Sequence, residues 1–308
     1  MNQHTLGNIC RFEGKSLHTG RYAHMSVEPA PADTGIRFQR TDLGPEAFVD
    51  ALAENVSSTA RSTTLSCGEV SAMTVEHILS ALTGMGIDNA LIRLDNAEVP
   101  ILDGSARLYV EAFRKAGIVP QDAPRHYLEL AHEVEVRDER SGAWVRAVPS
   151  DKPSIGITVD FGSRVLGVQS AEWTPDADYA SEIGPCRTFV FFHEIEFLAR
   201  QGLVKGGDVD NAIVIIEHPV SRKQIDDLCD LLGLPSLTCT EEGYLDNLKL
   251  HFPDECGRHK LLDIIGDLRL AGGWLNASVT AFKPGHTINT QAAKEIRKAL
   301  VLKQNGLN

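Results

Sequence analysis

The segment CGRHKLLDIIGDLRLAGG, Cys256–Gly273, sets His259, Asp263 and Asp267 four residues apart. At about 100° per residue, steps of four drift by only about 40°, so the three polar groups share one helical face. Leu261, Ile264, Ile265 and Leu268 fill the opposite face. The spacing predicts an amphipathic helix that presents imidazole and carboxylates. His and Asp at i and i+4 lie one above the other and can reach one metal ion. An exposed helix with an i,i+4 ion pair uses the same spacing, so the segment alone leaves both readings open.

A second segment, SAMTVEHILSALTGMG (Ser71–Gly86), reads as a helix over Val75–Leu82 with Thr74 as N-cap and Gly84 and Gly86 as the stop. Glu76 and His77 then stand side by side in its first turn, where the helix dipole favours the carboxylate. A hydrolytic metal site uses such a pair: a neutral imidazole to bind the ion and a carboxylate to take a proton from water. An adjacent Glu and His on an exposed helix is the plainer alternative. In FKPGHTINT (Phe282–Thr290), His286 falls in a Gly-containing turn between a strand at Ser278–Phe282 and a terminal helix from near Thr290. It is either a third site residue or an ordinary loop histidine.

The chain has 308 residues, 43% hydrophobic and 23% charged, which suits a globular protein with one large or two medium cores. Its formal charge of -12 argues against a nucleic-acid surface, which needs clustered Lys and Arg. A nucleotide pocket needs only one or two local cations. No stretch approaches the roughly 18 apolar residues of a membrane span. MNQHTLGNIC lacks the pattern of a secretory signal. Six scattered cysteines with no CxxC fit reduced thiols, so a cytoplasmic location is expected. Strand patterns at Ala23–Glu28 and Ala90–Leu94 and a helix at Leu108–Ala116 build a first half. A hinge is expected at Val119–Arg125, where two prolines break both periods. Strands near Tyr127–Val136, Trp144–Pro149 and Ile155–Phe161 begin the second half. GIDNALI and GDVDNAIVI hint at an internal duplication.

Taken together, these residues resemble the zinc-dependent UDP-3-O-acyl-N-acetylglucosamine deacetylases of lipid A synthesis. The resemblance is carried by SLHTG (Ser16–Gly20), RTDL (Arg40–Leu43), TVEHILSAL (Thr74–Leu82), GIDNALI (Gly86–Ile92) and EVPILDGSA (Glu98–Ala106). It continues in CRTFVFFHEIEFL (Cys186–Leu198), GLVKGGDVDNAIV (Gly202–Val214), RHKLLDIIGDL (Arg258–Leu268) and KPGHTIN (Lys283–Asn289). It implies an α+β chain of two similarly folded domains, each layering sheets and helices, with the active site at their junction. The expected division is 1–122 and 123–308.

The resemblance implies Zn2+ bound by His77, His259 and Asp263, with the fourth position open to water. Glu76 would be the general base, Thr188 and Lys260 would face the oxyanion, and His286, held protonated by Asp267, would donate to the departing amine. Phe192, Ile195, Leu198, Leu203 and Val204 match an acyl passage, although helical spacing would equally make 192, 195 and 198 core. Phe161 matches a uracil-stacking position, and Phe189 is grouped with it as substrate-binding. The implied substrate is UDP-3-O-(3-hydroxyacyl)-N-acetylglucosamine. Some members are fused at the C-terminus to a hydroxyacyl-carrier-protein dehydratase.

Residues 217–256 depart from the family pattern and read as an insertion: an amphipathic helix in SRKQIDDLCDLLGLP followed by a strand-like NLKLHF. Ala143 stands where many relatives carry lysine, which leaves the diphosphate contacts unassigned. Rival readings are a zinc amidohydrolase acting on another acylated amino sugar and a catalytically silent sugar-nucleotide binding protein.

Overall fold

The computed structural model describes residues 1–200 and 211–305, side chains excepted at 198–200 and 301–305. In the first half, five strands lie in the spatial order Cys10–Lys15, Tyr22–Pro29, Ala90–Leu94, Ile36–Arg40 and Phe48–Asp50. Every neighbour is antiparallel except Ile36–Arg40 beside Ala90–Leu94. Alternation sets which face is buried: Ala23, Met25 and Val27 point inward from the second strand while its intervening residues face out.

The second half repeats this topology. Its strands lie in the order Val134–Asp138, Ala143–Pro149, Trp274–Phe282, Ser154–Asp160 and Val168–Trp173, with one parallel pair at the corresponding place. Tyr127–Glu129 adds a short parallel strand beside Trp274. Parallel neighbours need a crossover. In each half the strand that returns to the middle of the sheet follows a helix, Glu76–Gly84 in one and Glu255–Arg269 in the other. A second helix follows it, Arg107–Ala116 or His286–Asn305. The two crossover helices pack on each other, and one core joins them to both sheets through Ile78, Leu79 and Leu82 on one helix and Leu261, Leu262 and Ile265 on the other.

The duplication is therefore real, but the motif that hinted at it is not its trace. GIDNALI leads into the central strand Ala90–Leu94, whereas Ile213–Ile215 pairs in parallel with Phe189–Phe191 in a separate small sheet. The structural counterpart of Ala90–Leu94 is Trp274–Phe282.

Four local expectations differ from the structure. The segment read as a hinge is a strand, Ile118–Pro124, paired with Asn2–Leu6 in a two-stranded sheet where prolines can be accommodated. Thr74 does not cap its helix: it has φ 61° and its hydroxyl donates to Glu98 Oε1 at 3.0 Å, so the helix begins at Glu76. The terminal helix starts at His286, not near Thr290. NLKLHF forms no strand.

Two smaller units flank the helix pair. One is an antiparallel sheet of Val56–Ser58, Thr64–Cys67 and Val70–Met73. The other contains Phe189–Phe191, the helix Phe192–Arg200 and Ile213–Ile215. The expected helix after residue 217 is Arg222–Leu232, with a Ser221–Gln224 capping box and a left-handed Gly233 as its stop. Its Ile225, Leu228 and Cys229 pack with Phe192 and Ile195, so it buttresses the Phe192–Arg200 helix. All six cysteines are free thiols.

Candidate metal centre

His77 comes from the first turn of one crossover helix, and His259 and Asp263 from successive turns of the other. All three are buried. Asp263 Oδ1 lies 3.6 Å from His77 Nε2 and 3.4 Å from His259 Nε2. Atoms bound at about 2.0–2.2 Å around a tetrahedral ion stand about 3.3–3.6 Å apart. The donor set fits a metal in a second way: Asp263 Oδ1 is buried with no hydrogen-bond partner. Such an oxygen is costly unless something positive meets it.

The surroundings set the ligands in their binding forms. Burial, opposed by Asp263, lowers the His259 pKa to about 3, so its imidazole is neutral. His259 Nδ1 lies 3.0 Å from the Cys186 carbonyl, which can only accept, so the proton sits on Nδ1 and Nε2 keeps its lone pair. The Cys186 backbone is fixed in turn by the buried Arg187–Glu255 pair: Arg187 Nε and its backbone N–H donate to Glu255 Oε1 at 2.9 and 3.0 Å. Burial works against the Asp263 anion, but the charge of Lys260 leads the groups that outweigh it and hold the carboxyl well below the usual range. Lys260 Nζ donates to Asp263 Oδ2 at 2.8 Å.

Beside the triplet, Glu76 is buried and accepts the Thr63 N–H at Oε2, 2.9 Å away. Burial raises its pKa. Asp267, fully buried, accepts from Thr63 Oγ1 at 2.6 Å, Asn289 Nδ2 at 3.0 Å and His286 Nδ1 at 3.0 Å. Burial opposes a charge on His286, yet Asp267 and Glu76 raise its pKa to about 9. With Nδ1 committed to Asp267, Nε2 is the nitrogen left to deliver a proton.

Glu76, His77, His259, Asp263 and His286 line a cavity of about 740 Å³ that also includes His18, Arg61, Thr188, Phe189, Ile195 and Lys260. A slightly larger cavity of about 790 Å³, beside Trp173 and Trp274, lies away from the histidines. Lys260 Nζ stands 5.4 Å over the Phe189 ring, and Phe161 meets Phe189 edge-on at 5.4 Å. Thr188 is held by its N–H to Gly104 O at 2.8 Å. Phe192 is not brought to the cavity; it packs in the small core with Leu228 and Val214. Leu203, Val204 and the Leu198 side chain lie outside the described residues. Cys67 sits exposed at the hairpin end of the small sheet, apart from the cluster. Thr63 went unread in the sequence, yet it bonds both Glu76 and Asp267. Only its place upstream of the TVEH segment could have drawn attention to it.

Two imidazoles and one carboxylate around a buried point, with a second carboxylate and a carboxylate-held imidazole at its edge, are the donor set of a metal-dependent hydrolase. The family model described as UDP-3-O-acyl N-acetylglycosamine deacetylase matches residues 3–226 and 235–298, and the chain belongs to that family. Between its two parts the match passes over residues 227–234, which lie within the segment read as an insertion. The chain is 41% identical to a bifunctional enzyme LpxC/FabZ of Porphyromonas gingivalis over 98% of its own length and 65% of the relative's. It is 39% identical to a UDP-3-O-acyl-N-acetylglucosamine deacetylase of Teredinibacter turnerae, over 97% of this chain and 91% of that one. A Thioalkalivibrio sulfidiphilus protein of the same name is 40% identical, over 96% and 90%. The chain thus spans 65% of the bifunctional Porphyromonas relative.

Proposed function

We propose that this protein hydrolyses the acetamide of UDP-3-O-(3-hydroxyacyl)-N-acetylglucosamine to the free amine and acetate, the committed step of lipid A biosynthesis, with Zn2+ as its metal. The observation that carries this reading is the unpartnered, buried Asp263 Oδ1 between two imidazole Nε2 atoms. Zn2+ held by His77, His259 and Asp263 supplies an acidified water and a polarised acetamide carbonyl.

The chain's own groups do the rest. Glu76 takes a proton from the attacking water; its burial makes that carboxylate a better base than an exposed one. Thr188 and Lys260, on the cavity wall, stabilise negative charge developing on the carbonyl oxygen. His286 gives its Nε2 proton to the leaving nitrogen while Asp267 keeps the ring oriented and charged. Without that proton the amine would have to leave as an anion, a very poor leaving group. Ile195 and Phe189 on the wall receive the acyl end, and Phe161 behind Phe189 the uracil.

We place the enzyme in the cytoplasm; no described helix is long and apolar enough to cross a membrane. Acetate release from the UDP-linked substrate, compared with the same acylated sugar lacking UDP, tests the reading. Preferential turnover of the UDP-linked compound supports it. Equal turnover would favour an amidohydrolase of another amino sugar, and no acetate from either a silent binding protein.

A further inference from the structure

The two crossover helices meet at three places. At the first, His77 faces Asp263. At the second, Gly266 lies against the backbone of Glu76 and Ser80. At the third, where both helices end, four side chains with no part in the chemistry are knotted together.

Asp88, just beyond the first helix, accepts Arg125 Nε and Nη2 at 2.9 and 2.7 Å and Trp274 Nε1 at 2.6 Å. The Arg125 guanidinium stands 4.0 Å over the Trp274 ring and that of Arg269 5.0 Å, so one indole meets two cations. Arg269 is the last residue of the second helix, and its Nη2 donates to the Asp88 and Ile87 carbonyls at 3.1 and 3.4 Å. Asp88 and Arg269 are buried. Only Arg125 reaches the Asp88 carboxylate; Arg269 meets the Asp88 backbone and leaves Nη1 buried without a partner, and burying two cations beside one anion is a poor way to gain stability. What planar forks and an indole N–H do provide is a single geometry. A slip of one residue between the helices would move a side chain by about 1.5 Å along the axis and about 100° around it. Metal ligands tolerate only about 0.2 Å.

We propose that this knot fixes the register of the two helices and so holds His77 against His259 and Asp263 at metal-binding spacing before any ion arrives. Asp88, Arg269 and Trp274 are then positioning residues for the metal centre. The inference rests on the metal-site reading above.

Trp274→Phe keeps an aromatic ring beside the guanidinium groups and removes the N–H to Asp88 together with part of the indole's bulk; Asp88→Asn keeps the size and removes the charge. Metal-free wild type and both variants are titrated with Zn2+ against a chromophoric chelator. The visible spectrum of each Co2+-loaded protein and the melting temperature of each metal-free protein are recorded alongside. The expected result is Zn2+ binding weakened by about 10–100-fold, the range for supports behind metal ligands, with an altered Co2+ spectrum while the variants remain folded. Unchanged affinity and spectrum in folded Trp274→Phe would overturn the inference, even with a lowered melting temperature. Should Asp88→Asn not fold, Trp274→Phe decides alone. A wild type that binds no stoichiometric metal would instead overturn the metal-site reading itself.

Discussion

Gly266 and Glu76 touch through their backbones: a Cβ on Gly266 would stand 2.0 Å from the Glu76 carbonyl oxygen and 3.0 Å from the Ser80 nitrogen. The helix carrying His259 and Asp263 therefore reaches the one carrying His77 only because residue 266 has no side chain. Gly266→Ala is expected to force the helices apart, costing stability by at least the about 1–3 kcal/mol typical of overpacking, since backbone cannot swing aside. Chemical denaturation measures the loss, and a metal titration on the folded fraction should show weaker binding as well.

Removing ligands and removing the base should have separable effects. His259→Ala and Asp263→Ala are expected to abolish both metal retention and turnover. Glu76→Gln should keep the metal and lose turnover by about 10²–10⁴-fold, the range for general acid–base groups. Elemental analysis beside initial rates distinguishes the two classes, and loss of metal in Glu76→Gln would remove Glu76 from its role as base.

The pH profile follows from two raised groups. The proposed mechanism requires ionised Glu76 and protonated His286, so kcat/KM should rise as pH passes the raised Glu76 pKa and fall toward about 9 as His286 loses its proton. A bound cation adds positive charge and moves both limbs to lower pH. His286→Gln should remove the basic limb. The linked stability has a definite sign: the folded pKa of His286 lies above the ordinary imidazole value of 6.5, so its contribution is complete below about 6.5 and lost as pH rises through about 9. Metal-free protein should accordingly unfold at lower denaturant concentration at pH 9.5 than at pH 6 by about 3 kcal/mol at most, a difference that His286→Gln should shrink.

Ile195 and Phe192 share the small core against the Arg222–Leu232 helix, but of the two only Ile195 also lines the cavity. Ile195→Trp should depress kcat/KM for a long-acyl substrate far more than for a short-acyl analogue. Phe192→Trp should lower the melting temperature and both rates together. Equal losses on both substrates for Ile195→Trp would deny residue 195 a place along the acyl chain.

The candidate site residues were legible because helices advertise themselves: the four-residue spacing of His259, Asp263 and Asp267 and the apolar face opposite them survive in a single sequence. The Gly-containing turn expected around His286 ends sooner than its sequence suggests, since the helix begins at His286 itself. Thr74 looked like a cap by residue type, but Glu98 claims its hydroxyl. The duplicated sheets were hidden since strand order is written in hydrogen-bond pairing and not in any repeated motif. Thr63 and Asp267 meet across 204 residues of sequence, and the Asp88–Arg125–Arg269–Trp274 knot joins residues that are individually ordinary. Such contacts have no local signature.

The central claim, that the buried His77–His259–Asp263 triplet is the catalytic metal site, is tested most directly by reconstitution. Protein stripped with a chelator is assayed for acetate release from UDP-3-O-(3-hydroxyacyl)-N-acetylglucosamine while Zn2+ is added in substoichiometric steps. The account predicts negligible release from the stripped protein and a linear recovery that ends at one ion per chain, with none in Asp263→Ala. Full turnover by protein shown to be metal-free would contradict it.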